Sequence, residues 1–419
     1  MAGLLQNIDL IGDELPWLHE LRQSGREAFS IAGVPTAKTE AWKYTKPREL
    51  NADDFVAAQP ANPGNWEADL PFDCYKIRFE NGFFSPAGSD LPQGVEVVPL
   101  IEAALFRPEV RKYLGALADV KAHPFAALNQ AYLNEGVYIK VDSNVELKKP
   151  IALISHTTPH EQNLFFNLRN LIVLGKNSAA TFVEYHSWSG ELKSRYFANV
   201  VNEIYLADSS RLQHCKLQDE AYKADHIALS VVAVENNASY NSFCLQRGAN
   251  LSRNETLVKL LAEGANAEVN AAYVMNGWAT LDTTTNIEHL APNTISHQLV
   301  KGVVGGDAKG VFQGKIHIAP HAVKTEGNQL HKALLLTDTA EVDVKPELEI
   351  YADDVKCSHG AASGELDENQ LFYMRSRGIG LEEAKQLLID AYLNEVIAKI
   401  GNEKIREWIK LWAQANHTV

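Results

Sequence analysis

The sequence predicts a mainly β protein, a flattened parallel β-solenoid with a helical region on each side. Two observations support this prediction. From about residue 136 to residue 360, short runs rich in Val, Ile, Leu, Tyr and Thr alternate with small polar turns. The turns recur at a step of roughly 14 residues, and regular self-similarity of this kind is typical of stacked coils. Before and after this stretch, apolar residues have helical spacing instead.

The step between turns separates two all-β architectures. A strand of about 5–6 residues and its turn do not fill roughly 14 residues as a tight hairpin array would. Two steps, about 28 residues, would make one coil with a strand on each side, whereas a β-sandwich turns about every 8–12 residues. We therefore predict a β-helix core over 136–364, with a β-sandwich as the alternative. The expected turns include Asp208-Ser209, Ala224-Asp225, Asn236-Asn237 and Asn276-Gly277.

The region before the core, 1–135, is predicted to be helical and mixed. Pro16 suits the first position of a helix because its fixed φ is already helical, and Gly33 is a natural stop for that helix. A second feature is the segment Trp42-Lys43-Tyr44-Thr45. Residues 57–71 are rich in Ala, Pro, Asn and Gly, which predicts a loop.

The region after the core, 365–419, is predicted to be a helical domain. Residues 381–392 place apolar side chains at i+3 and i+4 spacing, and Gly401-Asn402 breaks the helix. A second amphipathic segment contains Trp408 and Trp412. Aromatic residues are enriched both in cores and at interfaces, so the pair is expected either in the core or on a partner-facing patch.

Composition and charge exclude several function classes. The formal net charge is −14, with 53 acidic and 39 basic residues and no basic stripe, which disfavours nucleic acid and anionic membrane surfaces. Met1 to Glu14 has no secretory signal pattern, and no stretch approaches the roughly 18 apolar residues of a membrane span. The four cysteines are far apart and form no C-x-x-C, which fits a reducing cytoplasm.

No motif of a self-contained enzyme occurs in the sequence. The segment from Gly310 to Lys315 approaches a phosphate-binding loop but is one residue short and has no hydroxyl residue after the lysine. There is no H-E-x-x-H and no G-x-S-x-G. We therefore expect no ATP site in this chain.

The candidate chemical site is Cys357 with His359. If residues 355–359 form a strand, Val355, Cys357 and His359 share one face because side chains alternate. A thiol beside an imidazole suits a soft or borderline metal such as iron. Two ligands are too few for a closed site, so the remaining ligands must come from elsewhere in this chain or from another one. The alternative is that Cys357 is packing filler, since cysteine is among the most buried residue types.

Three segments resemble those of a known family. Residues 345–361 have the sequence KPELEIYADDVKCSHGA, residues 372–379 have FYMRSRGI, and residues 42–45 have WKYT. In their order along the chain, these segments resemble the motifs of the SufB/SufD family of iron–sulfur cluster assembly scaffolds. The resemblance extends over nearly the whole chain. The chain has a Cys-Ser-His-Gly run and no N-terminal cysteine cluster. In both features it is similar to the SufD branch of that family.

This resemblance implies a fold, a site and partners. The fold would be a right-handed parallel β-helix with helical domains at both ends. The chain would join a SufB-like scaffold and a SufC-like ATPase, and whether it forms a homodimer when alone stays open. His359 would lie at the interface with the SufB-like scaffold, with Cys357 as a second candidate ligand. A transient iron or iron–sulfur cluster would form there, and no cofactor would stay bound.

The resemblance also places the docking of the ATPase on the C-terminal helices, near residues 366–412. The candidate partner-binding residues there are Phe372, Tyr373, Arg375, Arg377 and Tyr392. Arg375 and Arg377 have an alternative role, which is to pair with carboxylates at the end of the solenoid.

The expected function is therefore a scaffold subunit that supports nascent cluster formation and iron acquisition, and not an enzyme. Two alternatives stay open at this point. A carbohydrate-active β-helix enzyme would use paired carboxylates, either Asp353 with Asp354 or Asp282 with Glu288. A purely structural stabiliser of the complex would need no metal contact.

Overall fold

The computed structural model describes residues 10–47, 50, 55–58, 66, 70–85 and 91–414. Its first ten strands are, in chain order, β1 (Val56–Ala57), β2 (Tyr75–Glu80), β3 (Phe83–Ser85), β4 (Val95–Pro99), β5 (Val137–Val141), β6 (Ile151–Thr157), β7 (Leu164–Leu174), β8 (Ala179–Trp188), β9 (Tyr196–Leu206) and β10 (Arg211–Glu220).

The remaining strands are β11 (Ala224–Val234), β12 (Ser239–Gly248), β13 (Leu251–Leu260), β14 (Asn266–Met275), β15 (Thr280–His289), β16 (Ile295–Val304), β17 (Lys309–Ile318), β18 (Thr325–Leu335), β19 (Glu341–Ile350) and β20 (Val355–Gly364). The helices are α1 (Pro16–Ala32), α2 (Leu100–Phe106), α3 (Val110–Tyr113), α4 (Pro124–Ala131), α5 (Glu368–Ser376), α6 (Leu381–Ile397) and α7 (Glu403–Gln414).

The strands β5–β20 form a parallel β-solenoid, as the turn spacing predicted. Within β5–β20, odd-numbered strands pair with odd-numbered strands in one sheet, and even-numbered strands pair with even-numbered strands in the other. Each sheet reaches ten strands with two N-terminal strands, β1 and β4 in the first and β2 and β3 in the second. Each coil therefore contributes one strand to each sheet, and sixteen strands make eight stacked coils. The N-terminal strands β1–β4 complete the two sheets at their first end.

The register between coils explains the sequence period. Arg211 pairs with Ser239, and Ser239 pairs with Asn266, so successive coils are 28 and then 27 residues apart. The strands themselves are longer than the predicted 5–6 residues, with 10 in β10 and 11 in β11. A step of half a coil is therefore filled by one long strand and a short turn. Ala224-Asp225, predicted as a turn, instead opens β11 because its backbone pairs with β9.

Several turns depend on residues in the left-handed region of backbone conformation. Ser209, Asn237 and Asn293 have φ between 53° and 57°. Asparagine tolerates this conformation because its short side chain can form a local hydrogen bond. These small polar residues therefore fix where each coil bends.

Side chains of each strand alternate between the interior of the solenoid and its outer surface. Much of the interior is an apolar column, formed by Ile139, Ile151, Phe182, Val200, Ile204, Leu212, Val232, Val258 and Ile287 among others. On β10 the alternation that starts at Leu212 then places polar residues inside: His214, Lys216, Gln218 and Glu220. The middle coils therefore enclose a polar interior.

The N-terminal region packs helices and short strands against the first coils. Helix α1 approaches α4 closely because Gly25 has no side chain, and a Cβ there would lie 2.6 Å from Ala131 N. The buried Arg22 guanidinium donates from both Nε and Nη2 to Leu133 O, at 3.0 and 2.7 Å. Of the predicted loop over 57–71, Ala57 ends β1, and 59–65 and 67–69 lie outside the described residues.

The Trp42–Thr45 segment fixes this region to the outer surface of the odd-numbered sheet. Trp42 is buried, with the Arg253 guanidinium 4.4 Å from its ring centroid. Arg253 pairs with Asp282 at 2.6 Å and donates to Ala41 O at 3.0 Å, and the Thr45 hydroxyl donates to the same Asp282 carboxylate. The segment therefore holds the N-terminal region on the solenoid by packing and by hydrogen bonds.

Helices α6 and α7 cover the outer surface of the even-numbered sheet. Trp408 packs there with Cys215, Leu217 and Phe243 and is 4% exposed. Trp412 is half-buried below the Arg247 guanidinium, 4.9 Å from the ring centroid. The question that the sequence left open is thus answered, because both tryptophans face the solenoid. The division of the chain into three domains stays a prediction.

All four cysteines are free thiols. None of the helices in the described ranges is long and apolar enough to cross a membrane.

Candidate metal and partner site at the open end of the solenoid

The last coil leaves one end of the solenoid uncovered. Among the described residues, strands β19 and β20 have a neighbouring coil on only one side, so their inward side chains are only partly covered. Ile350 is 40% exposed, whereas Ile318, its partner in the preceding coil, is fully buried. We define the open end as the inward side chains of these two strands: Val342, Val344, Pro346, Leu348, Ile350, Val355, Cys357 and His359.

Strand alternation brings the predicted site residues to one face of β20. Val355 and Cys357 both pack beside Ile316 and Ile318 of the coil before, which places this face of the strand, including His359, inward. Burial raises the pKa of the Cys357 thiol above its usual value, so the free thiol is protonated at neutral pH. A bound soft metal would displace that proton, because the thiolate is the ligand.

His359 is exposed and lines an open groove of about 630 Å³. The groove is also lined by His297 and Asn328 on the solenoid, and by Glu395 and Lys399 at the end of α6. Within the described residues, the His359 ring forms no hydrogen bond or ion pair. Its nitrogen atoms are therefore available to a ligand from solution or from another chain.

Gln329 is a site residue that sequence reasoning missed. It pairs directly with His359 between β18 and β20 and is 2% exposed. Neither atom of its amide group has a hydrogen-bond partner in the described part of the chain. Gly314 makes room for it, since a Cβ there would lie 1.5 Å from the amide nitrogen. A buried amide without hydrogen-bond partners lowers the stability of the folded protein. The position of Gln329 therefore supports a site for a polar ligand beside His359.

Cys357 and His359 do not form a closed metal site with other described residues. Across those residues, only one group of three His, Cys, Asp or Glu side chains converges on a single point, and it lies in the middle coils. Metal sites for zinc or iron normally need three or four protein ligands. Any metal at the open end therefore needs further ligands from outside the described chain.

Helix α5 presents an exposed aromatic and basic surface, which we call the α5 surface. Phe372 is 76% exposed, Tyr373 is 59% exposed, and Arg375 and Arg377 are exposed as well. The Arg377 guanidinium lies 5.2 Å from the Tyr373 ring centroid and donates to its hydroxyl at 3.2 Å. Neither arginine pairs with a carboxylate of the described residues, so the alternative role at the end of the solenoid is not observed.

Tyr392, the fifth partner-binding candidate, lies apart from the α5 surface. It is half-buried on α6, with the Lys301 ammonium 4.1 Å from its ring centroid. The same ammonium donates to Tyr392 O at 2.7 Å and pairs with Glu395. Tyr392 thus holds α6 on the solenoid, and its role in partner binding stays a prediction.

Two features named for other chemistries have structural explanations. Asp282 is fully buried and accepts hydrogen bonds from Thr45, Thr284 and Arg253, so it is not a free acid or base. The glycine segment from Gly310 lies within β17, and Gly310 gives space to the Tyr273 ring, 2.7 Å from where a Cβ would be. A strand of this kind does not wrap a phosphate.

Two protein-family models match this chain. Residues 156–392 match the family described as SUF system FeS cluster assembly, SufBD core domain. Residues 6–153 match the family described as SufBD protein N-terminal region. Together the two matches extend over most of the chain.

Curated relatives match over most of their length. An iron–sulfur cluster assembly SufBD family protein of Synechocystis is 33% identical over 415 residues, covering 96% of this chain and 91% of that protein. The iron–sulfur cluster assembly protein SufD of Escherichia coli is 31% identical over 90% of this chain and 88% of its own length. The chloroplastic protein ABCI7 of Arabidopsis thaliana is 37% identical over 93% and 84%, respectively.

Proposed function

This chain belongs to the SufB/SufD family of iron–sulfur cluster assembly proteins, and from that premise we propose that it is a scaffold subunit and not an enzyme. It joins a SufB-like scaffold and a SufC-like ATPase in the cytoplasm. It supports nascent cluster formation and iron acquisition at its interface with the SufB-like scaffold. Iron and the cluster are cargo at that interface, and none stays bound to this chain.

The observation that supports this proposal is the open end of the solenoid. In the part of the chain that the structure describes, strands β19 and β20 each have one edge without a partner strand, and such an edge is a template for pairing with another chain. The half-buried apolar residues Val344 and Leu348 lie next to those edges. A second solenoid that stacked here would bury them as each coil buries the coil before it.

The chemistry of the open end suits a nascent cluster. Cys357 and His359 offer one soft and one borderline ligand, and the partner scaffold supplies the rest. Gln329 lies below His359 with an amide that is free to orient the imidazole or to donate to a sulfide. A site divided between two chains opens when the chains separate, which suits a cluster that must be released.

The SufC-like ATPase binds the α5 surface. Exposed Phe and Tyr flanked by Arg are the residue types enriched at protein interfaces. Helix α5 follows β20 directly, so a movement of the bound ATPase is transmitted to the open end. Such a movement requires contacts that differ between the nucleotide states of the ATPase.

The experiment that tests the site compares His359→Ala with His297→Ala in the co-expressed three-protein complex. His297 lines the same groove but points outward on β16, so it is a matched control. We expect the His359 variant to keep all three subunits and to lose iron and acid-labile sulfide after anaerobic reconstitution. The His297 variant should assemble clusters like the unmodified complex.

Three outcomes would count against parts of the proposal. Full cluster assembly by the His359 variant would remove the ligand role and favour the structural stabiliser. Equal losses in both variants would assign the effect to the groove as a whole. Failure of this chain to co-purify with either partner would contradict the scaffold role itself.

A further inference from the structure

Three side chains in the middle coils converge inside the solenoid. His186 lies on β8, Glu220 ends β10, and His226 lies on β11, and each is 4% exposed or less. One ligand atom from each lies within 4.8 Å of the other two. We call these residues the inner triad. Neither the family match nor any motif in the sequence singles them out.

Glu220 and His226 are in direct contact inside the solenoid. His226 Nδ1 lies 2.8 Å from Glu220 Oε2, an ion-pair distance. Two atoms that each bind a tetrahedral zinc ion at about 2.0–2.2 Å lie about 3.3–3.6 Å apart. A bound ion would therefore separate this pair slightly and take its place as the partner of both side chains.

The middle coils also bury two carboxylates beside one ammonium. Glu184 is 2% exposed, Glu220 is 4% exposed and Lys216 is 7% exposed. Glu184 is contacted by the imidazoles of His214 and His186, at 2.6 and 3.3 Å. Buried carboxylates need a counter-charge or hydrogen-bond donors, and a divalent cation would add positive charge beside Glu220.

We propose that His186, Glu220 and His226 form a buried binding site for one divalent first-row transition-metal ion of the Fe²⁺ or Zn²⁺ class. Two imidazoles and one carboxylate are the donor set that such borderline cations take, with a position left for water or a fourth ligand. The neutral imidazole is the form that binds metal.

Lys216 competes with the ion for this site. Its Nζ lies 3.0 Å from His226 Nε2, so in the ion-free protein it donates to that nitrogen. When Nδ1 of a neutral imidazole binds a metal, Nε2 carries the proton and can no longer accept from Lys216. The ammonium then moves into an adjoining cavity of about 30 Å³, whose lining includes Ser230, Tyr240 and Asn254.

The inner triad is distinct from the open end and goes beyond the proposed function. Strand β8, which holds His186, is six strand spacings from β20 in the same sheet. At about 4.8 Å per spacing, the two sites lie roughly 29 Å apart. The two sites can therefore be tested separately.

The test uses the full chain, treated with a chelator and then titrated with Co²⁺ alone. Because every ligand is buried, Co²⁺ is added both to the native protein and during refolding from urea. We expect one Co²⁺ per chain by metal analysis, with visible d–d absorption. Glu220→Gln and His226→Gln should each weaken Co²⁺ binding by about tenfold or more.

The Lys216→Met variant distinguishes the loss of a ligand from a loss of folding, because it should raise the affinity for Co²⁺ whereas the ligand variants should lower it. Removing the competing ammonium should tighten Co²⁺ binding several-fold. The matched control is His289→Gln, a histidine that is also fully buried in the solenoid and bonds to Thr294 and Ser296. It should bind Co²⁺ like the unmodified chain.

The proposal is overturned if the chain binds no Co²⁺ by either route, or if the Glu220 and His226 variants bind it unchanged. Loss of binding in the His289 variant would equally overturn it, because the ion would then lie elsewhere. Weaker or unchanged binding by the Lys216 variant would contradict the competition. None of these results depends on cluster assembly, so the Co²⁺ experiment and the test of the proposed function are independent of each other.

Discussion

Buried imidazoles are the most distinctive feature of this protein at the scale of single residues. Burial lowers the pKa of His226, His289 and His331 to about 4 each. His331 stacks on Phe312 with ring centroids 4.8 Å apart and its Nε2 lies 2.8 Å from the Tyr273 hydroxyl. These rings therefore act as neutral packing groups near pH 7, and their protonation opposes folding.

Stability should therefore fall as the pH is lowered from about 6.5 to about 4. Over this window the unfolded chain takes up protons on these histidines, whereas the folded chain does not until about pH 4. A depression of this size corresponds to on the order of 3 kcal/mol per histidine. Urea midpoints at pH 7.5, 6.0 and 5.0 measure the fall. His331→Phe should flatten it, whereas His297→Gln, at an exposed position, should not.

A midpoint that stays constant down to pH 5 would contradict this account of the buried histidines. The carboxylates of Glu184 and Glu220 do not contribute to the expected fall in stability over this pH window. Their pKa values are lowered in the folded state, so the stability they contribute is lost only at still lower pH, below their unfolded values near 4.5.

Gln329 should show opposite effects on stability and on function. We expect Gln329→Met to leave the free energy of unfolding unchanged or to raise it by about 1 kcal/mol, because it removes a buried amide that has no partner in the described residues. The same variant should assemble clusters more slowly, since the imidazole of His359 loses its polar neighbour. Urea unfolding and reconstitution of the complex measure the two effects. A loss of stability without a loss of assembly would make Gln329 a structural residue only.

At the scale of elements, the C-terminal helices have two separate tasks. Helices α6 and α7 bury the outer face of the even-numbered sheet, whereas α5 is exposed. Removing all three would uncover an apolar face that includes Leu217 and Phe243. Single substitutions therefore separate docking from folding better than truncation does.

Trp408→Ala should destabilise the protein by about 3–5 kcal/mol, because it leaves a cavity between α7 and the sheet. Thermal or urea unfolding of the isolated chain measures this loss. Leu411→Ala is a suitable control, since Leu411 lies on the same helix and is 64% exposed. A similar stability for both variants would show that α7 does not depend on its apolar face.

Phe372→Ala should abolish co-purification with the SufC-like ATPase without lowering stability. The side chain is 76% exposed, so little packing within this chain is lost, whereas an exposed aromatic residue commonly anchors a partner. Phe106→Ala, at a position that is 66% exposed on α2, is the matched control and should bind the ATPase normally. Retained binding by the Phe372 variant would exclude the α5 surface as the docking site.

At the scale of the whole molecule, the solenoid has two unlike ends. The first coils are covered by the N-terminal helices and by β1–β4, whereas no strand of the described ranges pairs with the outer edges of the last coil, whose apolar residues are partly exposed. A stacked array needs a cap at each end to stay monomeric. The missing cap predicts an association that uses β19 and β20.

The isolated chain should therefore self-associate through its open end. Ile350→Lys should weaken that association, because it places a charge among the residues that would be buried. Ile295→Lys is the matched control, since Ile295 is 41% exposed and Ile350 is 40% exposed. Analytical ultracentrifugation measures the change. Equal behaviour of the two variants would place the contact elsewhere, and a monomeric unmodified chain would contradict self-pairing.

Local chemistry was sufficient to predict the repeat and one face of the site. Turn residues such as Asn237 and Asn293 mark each bend because few other residues tolerate the required φ, so the coil period is visible along the chain. The alternation of strand side chains likewise places Cys357 beside His359 without any knowledge of the fold. These predictions depend on neighbours in sequence, which is why they were confirmed.

Contacts between coils were decided only by the tertiary structure. His186, Glu220 and His226 come together because coils stack in a register set by backbone hydrogen bonds, and Gln329 lies below His359 for the same reason. The packing of Trp408 against the sheet depends in the same way on where a helix folds back. The sequence alone determined how each coil turns and which side chains alternate; stacking decided which residues of different coils meet, because register is a property of paired strands and not of one.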